Sequence, residues 1–125
     1  MAAAIKHARA TLPEFLALVR KPKPSTSEFR LKVGLKDGDS HEFVWVRPFE
    51  RKGRHYTGQL RNDPRSDKNL KFGDTISFFE KDIADWGYTD DGRMKGNFTT
   101  CALLKQQPKR DSDAFKRKHG LECEM

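Results

Sequence analysis

Residues 28–36 alternate apolar and charged side chains with a period of two: Phe29, Leu31, Val33 and Leu35 stand against Glu28, Arg30, Lys32 and Lys36. Successive side chains of a strand point to opposite faces, so this pattern specifies a strand with one buried and one wet face. Such a strand cannot cover itself. It requires neighbouring strands and a second layer, and the remainder of the chain has to supply both.

Asp37-Gly38-Asp39 has the composition of a turn. A second strand is expected over residues 42–49, with Phe43, Trp45 and Phe49 on one face and Val44 and Val46 on the other. Apolar residues on both faces predict a central strand, or one that a helix also covers, ended by Pro48. Arg51-Lys52-Gly53-Arg54 reads as a hairpin turn into a third strand over 55–60, carrying Tyr56 and Leu60 on one face. A polar loop over 61–69 follows, and Gly73 permits the tight turn into a fourth strand over 75–79. A helical turn is expected over 80–86 with Ile83 and Trp86 inward, then a turn at Asp90-Asp91-Gly92. The last strand is expected over 97–104, from the spacing of Phe98, Thr100, Ala102 and Leu104.

The covering layer comes from the N-terminus. Ile5, Ala8, Leu12, Phe15, Leu16 and Val19 fall on one stripe at helical spacing. Thr11 and Glu14 have capping-box spacing, and Pro13 is tolerated in a first turn but not in a helix interior. These features place a helix over 12–20 after a shorter helical turn over 2–10, with a kink or a split near Pro13. Lys21-Pro22-Lys23-Pro24-Ser25 ends the helix in a stiff connector. The expected fold class is α+β: an N-terminal helix packed on a curved, mostly antiparallel sheet of about five strands. The period fails after Leu104, so a single domain over 1–105 is expected, followed by a polar, flexible tail over 106–125.

At 125 residues the chain has the length of one domain. No apolar run is long enough to span a bilayer, and the N-terminus lacks the apolar stretch of a signal peptide. The expected compartment is the cytoplasm, where Cys101 and Cys123 would be free thiols. The formal charge of +7 is carried entirely by residues 1–62, while residues 63–125 are balanced. A basic surface of this kind points to an acidic partner, either a protein or a nucleic acid.

No residue pattern carries chemistry. His7, His41, His55 and His119 lack ligand spacing, so neither a metal nor any other cofactor is expected. Cys101 lies inside an expected strand, and Thr75 and Ser77 lack a nucleophile elbow. No catalytic residue is assigned; an unrecognised enzyme would need a deep polar pocket holding Asp85, His55 or Cys101. The candidate contact residues are of two kinds. Arg47, Arg51, Lys52, Arg54, Arg61 and Arg65 gather around the expected hairpin and its loop, interleaved with Trp45, Phe49 and Tyr56. Asp82 and Asp85 accompany Trp86 and Tyr88, which would be interface anchors if partly exposed. The leading expectation is a non-catalytic protein-binding domain whose partner identity and oligomeric state the residues do not give. The alternative is a single-stranded nucleic-acid binder working through Arg51–Arg54, with bases stacked on the aromatics. No membrane contact is expected.

Several segments, in order, resemble a bacterial family known as domain of unknown function 2314, the YegJ-like family. They are Ala8-Arg9-Ala10-Thr11-Leu12-Pro13-Glu14-Phe15, Trp45-Val46, Gly58-Gln59-Leu60-Arg61-Asn62-Asp63-Pro64, Gly73-Asp74-Thr75-Ile76-Ser77-Phe78, Ile83-Ala84-Asp85-Trp86-Gly87-Tyr88 and Gly96-Asn97-Phe98-Thr99. The resemblance covers roughly residues 5–104 and leaves the tail outside. It implies a bacterial cytosolic protein and no agreed activity, cofactor or catalytic residue. Similar small domains serve as immunity proteins in toxin loci, an analogy that bears on function only weakly.

Overall fold

The computed structural model describes residues 2–37, 40–65 and 69–123. The turn expected at Asp37-Gly38-Asp39 and the 66–68 part of the expected loop lie outside the described residues. The elements are α1 (Ala2–Arg20), β1 (Thr26–Asp37), β2 (Ser40–Lys52), β3 (His55–Leu60), β4 (Thr75–Phe79), a 3-10 turn (Glu80–Asp82), β5 (Ile83–Asp90), β6 (Arg93–Gly96), α2 (Phe98–Leu104) and α3 (Lys109–His119). The six strands run in the order β4-β3-β2-β1-β5-β6. The fold is α+β, with one strand more than expected. Two compact units divide the chain, Arg30–Ala84 and the pair Met1–Phe29 with Asp85–Met125.

In the Arg30–Ala84 unit the alternation of β1 sets the register. Leu31 pairs with Val46 and Val33 with Val44 across the antiparallel β1–β2 ladder, and all four are buried. Tyr56 of β3 stands opposite Phe78 of β4, their rings stacked at 5.5 Å. Leu60, Ile76 and Phe78 complete this buried face. A register shift in β2 between Val46 and Phe49, at the cis Arg47-Pro48 peptide, corrects the expected facing of Phe49. The extra residue turns Phe49 to the side of Val46: a Cβ on Gly58 would meet both residues' Cβ atoms, at 3.1 and 3.3 Å. β2 is a central strand, as expected, between β3 and β1, and Phe43 on its other face is 43% exposed.

In the other unit α1 runs unbroken through Pro13. Ala4, Ala8, Leu12, Phe15 and Leu16 form its buried stripe, on both sides of the proline. Thr11 makes no capping box. Its hydroxyl donates back to the carbonyls of His7 and Ala8, at 2.9 and 3.2 Å. Phe15 stacks on Trp86 at 4.9 Å, and Phe29 on Tyr88 at 5.6 Å. Ala4, Ala8 and Phe98 cluster with Trp86 and Ala102.

Four further expectations are corrected here. Residues 83–90 are a strand, and the helical conformation stops at Asp82. β5 pairs with β6 through Gly87↔Gly96, Tyr88↔Lys95 and Thr89↔Met94. Gly96 sits at φ +81°, and a Cβ there would come within 2.4 Å of the Trp86 carbonyl oxygen, so only glycine allows the close pairing. Residues 98–104 are helical, not a strand. Phe98, Cys101 and Leu104 recur at a spacing of three and are buried, and the buried Asp85 holds the helix start. The segment expected to be a flexible tail contains α3, with Ser112 buried and Leu121 packed against Cys101 and Leu104. That folding-back brings Cys123 to Cys101, and the two form a disulfide rather than free thiols. Among the described residues no helix is long and apolar enough to cross a membrane.

Candidate interaction surface

The face of β1 and β2 opposite the Val44 and Val46 side chains carries Arg30 and Lys32 of β1. The register sets Lys32 against Trp45 and Gly34 against Phe43. Arg30 lies over the Trp45 ring at 5.5 Å, and the Lys32 ammonium lies 5.7 Å from the Phe43 ring centre and 5.8 Å from that of Trp45. The chain leaving β3 fixes Trp45 from the other side. Its carbonyl accepts from the Arg61 amide at 2.9 Å, and its amide donates to the Asn62 Oδ1 at 2.8 Å. Arg61 donates through Nε to the Arg47 carbonyl at 2.9 Å and covers the Phe72 ring at 5.5 Å. Two cation–ring groups result, Arg30 and Lys32 over Trp45 and Phe43, and Arg61 over Phe72, linked through the backbone bonds of Trp45 to residues 61 and 62. Trp45 is half-buried, whereas Phe43 is 43% and Phe72 55% exposed.

Backbone donors engage the acids beside this face. The Glu42 carboxylate accepts from the Arg65 amide at 2.8 and 2.9 Å, and Asp63 from the Phe72 amide at 2.8 Å. These charge-assisted bonds fix both carboxylates in place. Such a face can hold carboxylates or phosphates with its cations while its rings bury apolar area.

The expected basic cluster is spread along β2 and β3. Arg47, Arg61 and Arg65 belong to the end that carries Trp45. Arg51, Lys52 and Arg54 sit exposed at the far end of the β2–β3 hairpin, where Arg51 donates through Nε to the Gly53 carbonyl at 2.8 Å. Tyr56, expected to offer a stacking surface there, is fully buried. Its hydroxyl finds no partner among the described residues, and burial pushes its titration up despite the opposing charge of Arg51. The exposed ring near the hairpin is instead Phe79, beside His55 at 5.5 Å and under Lys81 at 5.8 Å.

Of the second expected group Asp85 is buried, while Asp82, Trp86 and Tyr88 are half-buried. Asp82 accepts from the Phe79 amide at 2.9 Å and so caps the 3-10 turn. Asp85 is completely buried and cannot meet a partner, contrary to expectation. Its carboxylate accepts from the amides of Trp86, Phe98 and Thr99 and from the Thr99 hydroxyl, at 2.7 to 3.2 Å. Burial raises its pKa above the ordinary value, and these four donors offset only part of the rise. Trp86 donates through Nε1 to the Ala8 carbonyl at 3.1 Å and the Thr11 hydroxyl at 3.2 Å, as a packed residue. Tyr88 remains half-buried in the aromatic stack with Phe15 and Phe29. Of the groups that could have served an enzyme, Asp85 holds a helix and Cys101 is in a disulfide. His55 borders a cavity of about 190 Å³ with Glu50, Lys52 and Thr57.

Sequence reasoning singled out Trp45 but did not put forward Arg30, Lys32, Phe43 and Phe72 as candidates. The charged half of the β1 alternation was the available signal. Only the strand register shows that these cations lie over the aromatics of β2.

Residues 1–123 match the model of a family described as an uncharacterized protein conserved in bacteria, DUF2314. The chain is 30% identical over 118 residues to the uncharacterized protein YegJ of Escherichia coli strain K12, covering 94% of this chain and 76% of that protein. No solved structure is significantly similar. The chain belongs to the DUF2314 family, and the match takes in residues 105–123, which the resemblance read from the sequence had left outside.

Proposed function

We propose that this protein is a binding domain without catalytic chemistry, and that the β1–β2 face recognises an acidic protein surface. The observation that carries the reading is the placing of Arg30 and Lys32 over Trp45 and Phe43, with Arg61 over Phe72 nearby, two of those rings well exposed. Aromatic and arginine side chains supply most of the binding energy where proteins meet, and cations set the sign of the partner. A role in neutralising or regulating a partner, as immunity proteins do, is the form of action this reading favours. Single-stranded nucleic acid is less well supported at the Arg51–Arg54 hairpin, because Tyr56 is buried and Phe79 alone remains as an exposed ring near the hairpin among the described residues. The Cys101–Cys123 bond favours a compartment where thiols stay oxidised over the expected cytoplasm.

The test is capture from the native host with tagged full-length protein, in three forms run in parallel. These are the wild type, a face variant with Arg30→Glu, Lys32→Glu and Arg61→Glu, and a hairpin variant with Arg51→Glu and Arg54→Glu. One protein should co-purify with wild type and hairpin variant, survive nuclease treatment, and fall at least about tenfold with the face variant. Equal recovery with all three forms, or loss on nuclease treatment, would contradict the proposal.

A further inference from the structure

β6 lies at one end of the sheet, and a strand in that position presents unpaired backbone groups. The end of the described chain covers it. The Met94 amide donates to the Gly120 carbonyl at 2.8 Å, and the Glu122 amide donates to the Met94 carbonyl at 3.0 Å. Leu121 forms a parallel bridge with Met94 and is buried against Cys101 and Leu104. Glu122 pairs with Arg93 at 3.4 Å and with Lys95. Cys123 then closes the disulfide to Cys101 of α2, 22 residues earlier.

We infer that residues 120–123 are a strap over the β6 edge, locked by oxidation of Cys101 and Cys123 and released by their reduction. Without the bond the strap keeps one buried leucine, the two backbone hydrogen bonds to Met94, those of the Gly120 and Leu121 amides to the Lys116 carbonyl that end α3, and two ion pairs at least partly open to water. Ion pairs of that kind add little, and a short segment held to the β6 edge by so few contacts opens locally at small cost. The reductant is a dithiol. Its thiolate attacks the Cys123 sulfur, which is half-buried and so better presented than that of Cys101, 1% exposed. The disulfide breaks and Cys101 leaves as a thiolate that takes a proton. The second thiol of the reductant then displaces Cys123 as a thiol and departs as a disulfide, so two electrons and two protons pass to the protein. Release uncovers the β6 edge together with the apolar surface of Met94, Leu104 and Leu121.

Amide hydrogen exchange on the full chain tests this, comparing the air-oxidised protein with the same protein in dithiothreitol. Protection at Met94 and Glu122 should fall at least tenfold on reduction, while the Thr99 amide, bonded to Asp85, keeps its protection. A Cys101→Ala, Cys123→Ala variant should exchange like the reduced protein in either buffer. Unchanged protection at Met94 and Glu122 would overturn the inference, as would an equal loss at Thr99, which would make the bond a staple of the whole unit. Two titratable thiols in the air-oxidised protein would overturn it as well.

Discussion

A carboxylate held away from water is costly unless donors surround it. Asp85 has four, and they come from its own strand and from the first turn of α2. This residue explains why 98–104 is helical although Thr99 and Thr100 favour strands: its oxygens take the Phe98 and Thr99 amides that a helix start leaves without partners. Removing it in Asp85→Ala should cost about 2–3 kcal/mol, because donors are stranded as well as a cap lost. Its titration gives a sharper check. The folded pKa lies above the ordinary 3.8, so the residue's contribution to stability is greatest below that value and declines as pH rises through the folded one. Thr99→Val removes one donor to the charged form and should push the Asp85 pKa higher still. Carboxyl carbon NMR of both proteins measures it, and an unchanged or lower value in the variant would count against this account of the cap.

At the scale of elements, much of the fold was legible because local pattern and tertiary role agreed. The alternation in β1 and the helical stripe of Leu12, Phe15 and Leu16 state their own periods, and Gly53 and Gly92, both at positive φ, mark their turns. The elements that escaped depend on distant groups. α2 takes its cap from β5, and β6 exists because Gly96 allows Trp86 close approach. α3 is too polar to betray a buried face, and the residues after it are anchored through Leu121, Glu122 and Cys123. The candidate site was half legible for the same reason: its aromatics stand in β2, but its cations come from β1 and from the end of β3. Glu122 gives this end of the chain a pH dependence. The hydrogen bond from Lys95, helped by Arg93, holds its carboxyl below the ordinary 4.5. The stabilisation it brings is therefore present above that value and lost as pH falls through the lowered one. Urea unfolding at neutral pH should find Glu122→Gln less stable than wild type, with the difference closing as the pH drops below 4.5 and on toward 3. A difference that persists in acid would mean that the charge pairing is not its source.

Across the whole molecule, the aromatic side chains divide into those that hold the chain together and those proposed to meet a partner. Trp86, Tyr88 and Phe98 serve packing, with Trp86 hydrogen-bonded to α1. Those on the outer face of β2 lie under cations and stay partly in water. The chain has two tryptophans, one in each setting, so each indole N–H reports on one role. The most direct measurement is a proton–nitrogen NMR titration of the full protein with poly-glutamate at low salt, with an oligonucleotide of deoxythymidine in parallel. The account predicts that poly-glutamate shifts the Trp45 indole signal, that added salt reverses the shift, and that the Trp86 signal stays in place. A stationary Trp45 signal, or one that answers only to the oligonucleotide, would contradict it.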